Sequence, residues 1–107
     1  MLHKTSYMRG FHLVATDGEI GHVDDFLIDE NWNVRYLVVD TSNWIGGRTV
    51  LLSPDWVRRV DWNNREIHVD MSRDAVKGSP EYNPTMEMSR EYEEKLHGHY
   101  RRPAYWK

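Results

Sequence analysis

The sequence predicts an all-β fold: a small antiparallel β-barrel of about six short strands, followed by short C-terminal helical segments. Three observations point there. Short apolar runs rich in β-branched and aromatic residues recur between turn-forming clusters at intervals of roughly 8 to 12 residues, a spacing that suits a barrel or rolled sheet better than a helical or βαβ fold. The stretch from Val34 to Leu52 holds two such runs joined by a polar, glycine-containing connection, which reads as a central hairpin with a long tip. Asp17-Gly18 and Asn63-Asn64 are tight-turn signals between further runs.

Taken in order, residues 1–9 hold no period and read as a leader that orders only on contact. Residues 10–84 are the barrel-like domain. Phe11 to Ala15 is a strand closed by Thr16-Asp17-Gly18, and Ile20 to Asp29 is its partner. Ile20 and Val23 cannot share a face under strict alternation, so a bulge or bend is expected near Gly21 or Asp24-Asp25. Val34 to Val39 is apolar without alternation and reads as a strand buried on both faces. Thr49 to Leu52 ends at Ser53-Pro54, because proline cannot donate a ladder hydrogen bond. Asp55-Trp56-Val57 is a single turn, and Arg58 to Asp61 returns to extended chain. In Glu66 to Met71, Ile67, Val69 and Met71 alternate with polar neighbours, so one face lies in the core.

Ser72 to Gly78 carries a serine N-cap, an early acid, a late lysine and a closing glycine, the marks of one or two helical turns. Residues 85–107 form a C-terminal helix and an aromatic, basic tail. Ser89 caps a helix over Arg90 to His97 in which Tyr92 and Leu96 share a side, Glu91 reaches Lys95, and Gly98 is the stop. The remaining His99 to Lys107 holds too many aromatics for a disordered tail and is expected to dock onto something.

A chain of 107 residues suits one domain, burying roughly 65% of the surface its unfolded form exposes. With no cysteine it has neither disulfides nor a thiol nucleophile. No stretch approaches the roughly 20 apolar residues of a membrane span, and the first residues lack the apolar core of a signal peptide, so a cytoplasmic protein is the expectation. After Glu94 only Lys95, Arg101, Arg102 and Lys107 are charged, so a +4 segment follows a −7 body, together the −3 of the whole chain. A net negative chain is no general nucleic-acid binder; the asymmetry suits self-association or an acidic partner.

Several constellations invite chemistry. Asp29, Asn31 and Asn33, with Asp40 at the twelfth position, resemble part of a calcium loop, but Val34 stands where that loop needs glycine and the rest is the buried strand, so a hairpin turn is the reading. His3, His12, His22, His68, His97 and His99 show no metal-ligand spacing. His12 and His22 lie on strands that a hairpin brings together, and with Asp24 or Asp25 they give the alternative of a metal- or small-ligand-binding barrel. Asp24, Asp25, Asp29, Asp40 and Asp70 could pair as an acid/base site for hydrolysis, yet strand ends attract aspartate for structural reasons. No nucleophile elbow or phosphate-binding glycine loop occurs. The expectation is no enzyme, no catalytic residues, no metal and no cofactor.

Gly18-Glu19-Ile20-Gly21-His22-Val23-Asp24-Asp25, then Arg35 to Asp40, Trp44-Ile45-Gly46-Gly47-Arg48, Ile67-His68-Val69-Asp70 and Ser79-Pro80-Glu81-Tyr82 together resemble the PRC-barrel family, named after the photosynthetic reaction centre. The ending, Arg90 to Trp106, is similar to the tails of stand-alone bacterial members. The resemblance implies an adaptor. Such domains form the cytoplasmic part of the reaction-centre H subunit and the half of a ribosome-maturation factor that binds a small-subunit ribosomal protein. The chain itself shows neither the membrane helix of the first nor the extra domain of the second. The resulting expectation is a non-catalytic protein–protein interaction module, homodimeric, with an unidentified protein partner, no nucleic acid, and at most peripheral membrane association. Its contact residues are expected at the hairpin tip, Trp44, Ile45 and Arg48, and in the C-terminal segment, Tyr92, Leu96, Tyr100, Arg101, Arg102, Tyr105 and Trp106, since Tyr, Trp and Arg are enriched at interfaces.

Overall fold

The computed structural model describes residues 1–41 and 47–107. Its strands are β1 (His12–Ala15), β2 (Gly18–Ile28), β3 (Val34–Asp40), β4 (Thr49–Leu52), β5 (Val57–Asp61) and β6 (Glu66–Val69), accompanied by helices α1 (Thr5–Met8), α2 (Arg73–Lys77) and α3 (Arg90–Tyr100). They make one sheet in the order β4-β3-β2-β1-β6-β5. The expected wholly antiparallel barrel needs correction in one pairing, because β1 and β6 run parallel. Parallel neighbours need a long crossover, and here everything from β2 to β5 serves as that connection. Among the described residues the two end strands, β4 and β5, are not hydrogen-bonded to each other, so the sheet is not closed by its backbone ladder.

The expected bend in β2 exists, at two places. Leu13 faces Gly21 and Val14 faces Glu19, which leaves Ile20 extra; Val23 faces Val39 and Asp25 faces Val38, which leaves Asp24 extra. Each bulge moves the side-chain alternation by one, so Ile20 and Val23 are both buried while Asp24 and Asp25 are exposed. Gly21 permits the β2–β3 contact. Its φ is +144°, and a Cβ there would lie 2.2 Å from the Asp40 carbonyl oxygen.

Tyr36, Leu37, Val38 and Val39 are all buried, as the unbroken apolar run of β3 requires. The cover on the Tyr36 side comes from α3, whose Glu93 and His97 meet the Tyr36 hydroxyl. Ser89 caps this helix by accepting from the Tyr92 amide. Gly98 does not end it. His99 Nε2 lies 2.6 Å from the Ala75 carbonyl and the Tyr100 ring packs 4.8 Å from Trp56, contacts that hold the helix together until Arg101 takes φ 55° and closes it. Glu91 and Lys95 form no ion pair; that of the helix is Arg90 with Glu93 at 3.7 Å. Ser72 caps α2 as expected, accepting from the Ala75 amide. The N-terminal segment, expected to lack order of its own, forms the single turn α1, after which the Gly10 amide donates to the Val23 carbonyl and Phe11 enters the core.

Candidate functional site

The β2–β3 turn is built on Asp29. Its Oδ1 accepts from the Asn31 and Asn33 amides at 2.8 and 3.0 Å, and its Oδ2 accepts from Arg35 Nε at 2.7 Å. The Asn33 amide above all, with Arg35 and the Asn31 amide, holds this carboxyl down at about 2. Of the oxygens that sequence reading compared with a calcium loop, those of Asp29 are thus occupied by the turn itself. One result is unusual: Trp32 sits at the left-handed position, φ 69°, and is 84% exposed. Such a conformation disfavours a bulky residue, so the turn network rather than Trp32 itself sets it. Ile28 and Val34, on either side, are exposed as well.

Facing this turn is the C-terminal segment. Glu93, His97 and Tyr36 are almost fully buried. Glu93 Oε1 accepts from the Tyr36 hydroxyl at 2.7 Å and from the Tyr105 hydroxyl at 2.6 Å. With its proton given to Glu93, the Tyr36 oxygen is left to accept from His97 Nε2 at 3.0 Å. His97 Nδ1 is buried without a hydrogen-bond partner among the described residues. Burial lowers the His97 pKa and raises that of Tyr36, the latter helped by Glu93. Arg35 lies 4.2 Å from the Tyr105 ring centre and Arg90 4.0 Å from that of Trp106, which fastens the tail over the cluster. Arg102 completes the fastening with a two-bond contact to Asp70, at 2.7 and 3.1 Å.

Between turn and tail runs an open groove of about 730 Å³. Leu27, Ile28, Tyr82 and Met88 give it apolar walls, and Asp29, Glu30, Arg35, Glu87, Arg90 and Glu93 carry its charges. Two of the four carboxylates face guanidinium groups, Asp29 with Arg35 and Glu93 with Arg90. Glu30 and Glu87 are exposed and, among the described residues, have neither a side-chain ion pair nor a side-chain hydrogen bond.

The residues expected at contacts fall into distinct places. Trp44 and Ile45 lie outside the described residues. Arg48 donates to the carbonyls of Lys77 and Ser79. Leu96 is fully buried in the chain's own core, Tyr92 donates to the Pro80 carbonyl at 2.8 Å, and Tyr100 packs at a tilt against Trp56. Tyr105 and Trp106 are half-buried, and Arg101 is exposed. His12 and His22 do sit opposite each other across β1 and β2, but His12 Nδ1 meets Glu19 at 2.6 Å while His22 lies 3.8 Å from Asp40. Among the described residues no group of three or more His, Asp or Glu side chains converges as a metal site needs.

Sequence reading missed Trp32, Glu30 and Glu87. Only Trp32 left a signal there, as an aromatic residue stranded in a polar turn. The buried cluster was more accessible: Arg90, Glu93 and His97 follow the i, i+3, i+7 spacing of one helix face.

The PRC-barrel domain family profile matches residues 5–76. The chain belongs to the PRC-barrel family. Comparison with curated proteins finds no match. Among solved structures, the PRC-barrel chain is similar to a RimM structure from Pseudomonas aeruginosa assigned to 16S ribosomal RNA processing, with a TM-score of 0.55 and 21% identity. The alignment covers 67% of this chain and 45% of that one, so this PRC-barrel protein corresponds to less than half of the other. The likeness is one of fold. No helix among the described residues is long and apolar enough to cross a membrane.

Proposed function

We propose that this PRC-barrel protein is a non-catalytic interaction module, a cytoplasmic adaptor that acts as a homodimer. The observation that carries the reading is the exposed apolar rim, Ile28, Trp32 and Val34, beside an open groove walled by the hydrogen-bonded β2–β3 turn and the packed C-terminal segment. An ordered turn that presents a tryptophan to solvent suits recognition of another polypeptide. Self-association falls to other surfaces. Trp44 and Ile45 of the β3–β4 connection, with Arg101 and Trp106 of the tail, meet the second copy, while Tyr92, Leu96, Tyr100, Arg102 and Tyr105 hold the C-terminal segment in place and Arg48 binds the carbonyls of Lys77 and Ser79.

Native mass spectrometry of the full chain tests the dimer. The expected result is a dimer that falls to monomer in a Trp44→Ser/Ile45→Ser/Arg101→Glu/Trp106→Ser variant with unchanged circular dichroism. A wild-type monomer at tens of micromolar, roughly the range where biological dimers persist, would refute self-association.

A further inference from the structure

We propose that the groove between the β2–β3 turn and the C-terminal segment binds a cationic segment of another polypeptide, a lysine or arginine flanked by apolar side chains. The inference rests on the interaction-module reading and goes further by naming the partner's chemistry. Charge decides it. The groove carries four carboxylates and two guanidinium groups, and both guanidinium groups already face acids. What remains for a visitor is Glu30, from the turn, and Glu87, from the segment before α3, each exposed and with no ion pair or hydrogen bond among the described residues. Carboxylates only accept hydrogen bonds, so the free polar groups call for a donor that carries positive charge.

The rest of the surface fits the same visitor. Leu27, Tyr82 and Met88 offer apolar contact for the residues beside the cation, and Ile28 extends that contact to the rim. Trp32, next along the turn, presents an exposed aromatic face of the kind that attracts ammonium and guanidinium groups. A phosphate-bearing partner, whether RNA or a lipid headgroup, would meet Glu30 and Glu87 with like charge. The wall from Tyr82 to Tyr105 lies beyond residues 5–76, which the family profile matches, so the shared barrel domain alone does not build this groove.

The test is fluorescence anisotropy of a labelled ten-residue peptide of alternating leucine and lysine, titrated with the full chain. Leucine–glutamate peptide and oligouridine serve as comparison probes. Saturable binding of the leucine–lysine peptide alone is expected, weakened about tenfold or more by Glu30→Gln/Glu87→Gln through loss of two charge-assisted contacts. Asp24→Asn/Asp25→Asn, which removes exposed acids elsewhere on β2, should leave it unchanged. No saturation by about 1 mM, the weak end of specific binding, would overturn the proposal. So would equal weakening by the two double variants, or preference for oligouridine. Loss of the native dimer in Glu30→Gln/Glu87→Gln would overturn it too, by making the occupant a second copy. A dimer that ignores the peptide would sink the groove assignment alone and leave the interaction module standing.

Discussion

At the scale of single residues, His97 governs how the cluster responds to pH. Around it stand Tyr36 from β3, Glu93 one turn back in α3, Asp55 from the turn before β5, and the Pro103 carbonyl. Burial is the largest influence and lowers the His97 pKa, while Glu93, Asp55 and the Pro103 carbonyl work the other way. The folded protein therefore prefers the neutral imidazole. Below about pH 6.5 the unfolded chain takes up a proton at this position before the folded one does, so acidification favours unfolding. The loss of stability begins near that pH and continues until the folded His97 also protonates. Above it His97 contributes no slope. Thermal melts between about pH 7.5 and 5 should show a falling midpoint, and His97→Gln, which keeps a donor for Tyr36 and cannot titrate, should flatten the fall. Parallel curves for the two proteins would assign the slope to other groups.

At the scale of elements, two glycines make opposite predictions. Gly21 lies in β2 where φ is positive and a Cβ would strike the Asp40 carbonyl, a backbone atom that cannot turn aside. Gly21→Ala should cost at least about 2–3 kcal/mol, from left-handed strain and from prising β2 off β3. Gly98 lies within α3, and a Cβ there meets nothing within 4 Å. Gly98→Ala should stabilise by about 0.5–1 kcal/mol through helix propensity. Urea unfolding of both variants measures the pair, and a shared sign would contradict this account. These glycines also mark what could be read from the chain. The bend near Gly21 was legible because Ile20 and Val23 break alternation, and both capping serines were legible from local chemistry. The end of α3 was not, since His99 and Tyr100 extend it by contacts with α2 and Trp56 that sequence spacing does not contain. Nor was the parallel β1–β6 pair, whose partners stand at opposite ends of the sheet's connectivity. The groove was least legible of all, because its lips come from residues more than fifty positions apart, and neither Glu30 nor Glu87 sits in a pattern that marks it.

For the whole molecule, the question is whether the C-terminal segment is an attachment to the barrel or part of its core. Leu96 is fully buried, and Tyr36 and Trp56 owe much of their cover to His97, Tyr100 and Tyr105. Removing everything after Pro84 would expose those faces and leave the Tyr36 hydroxyl without Glu93. Each large apolar side chain brought back to water costs about 1.5–3 kcal/mol, so Tyr36 and Trp56 account for about 3–6 kcal/mol, and the loss of Leu96 from the core adds a cavity to that cost. A domain of this size has about 5–15 kcal/mol of stability in total, so the shortened chain is expected to lose its fixed tertiary packing. Near-ultraviolet circular dichroism, strong in a protein with five tryptophans, should collapse in the 1–84 chain, and dye binding to exposed apolar surface should rise. Adding a peptide of residues 85–107 in trans should restore the spectrum, since binding to the folded form alone shifts the equilibrium by mass action. If the 1–84 chain instead keeps a native spectrum and an unchanged melting midpoint, α3 is an ornament on a self-sufficient barrel. The groove wall it supplies would then be free to move. Retained α3 docking, by contrast, keeps Arg90, Glu93 and Tyr105 in the groove wall beside Glu30 and Glu87.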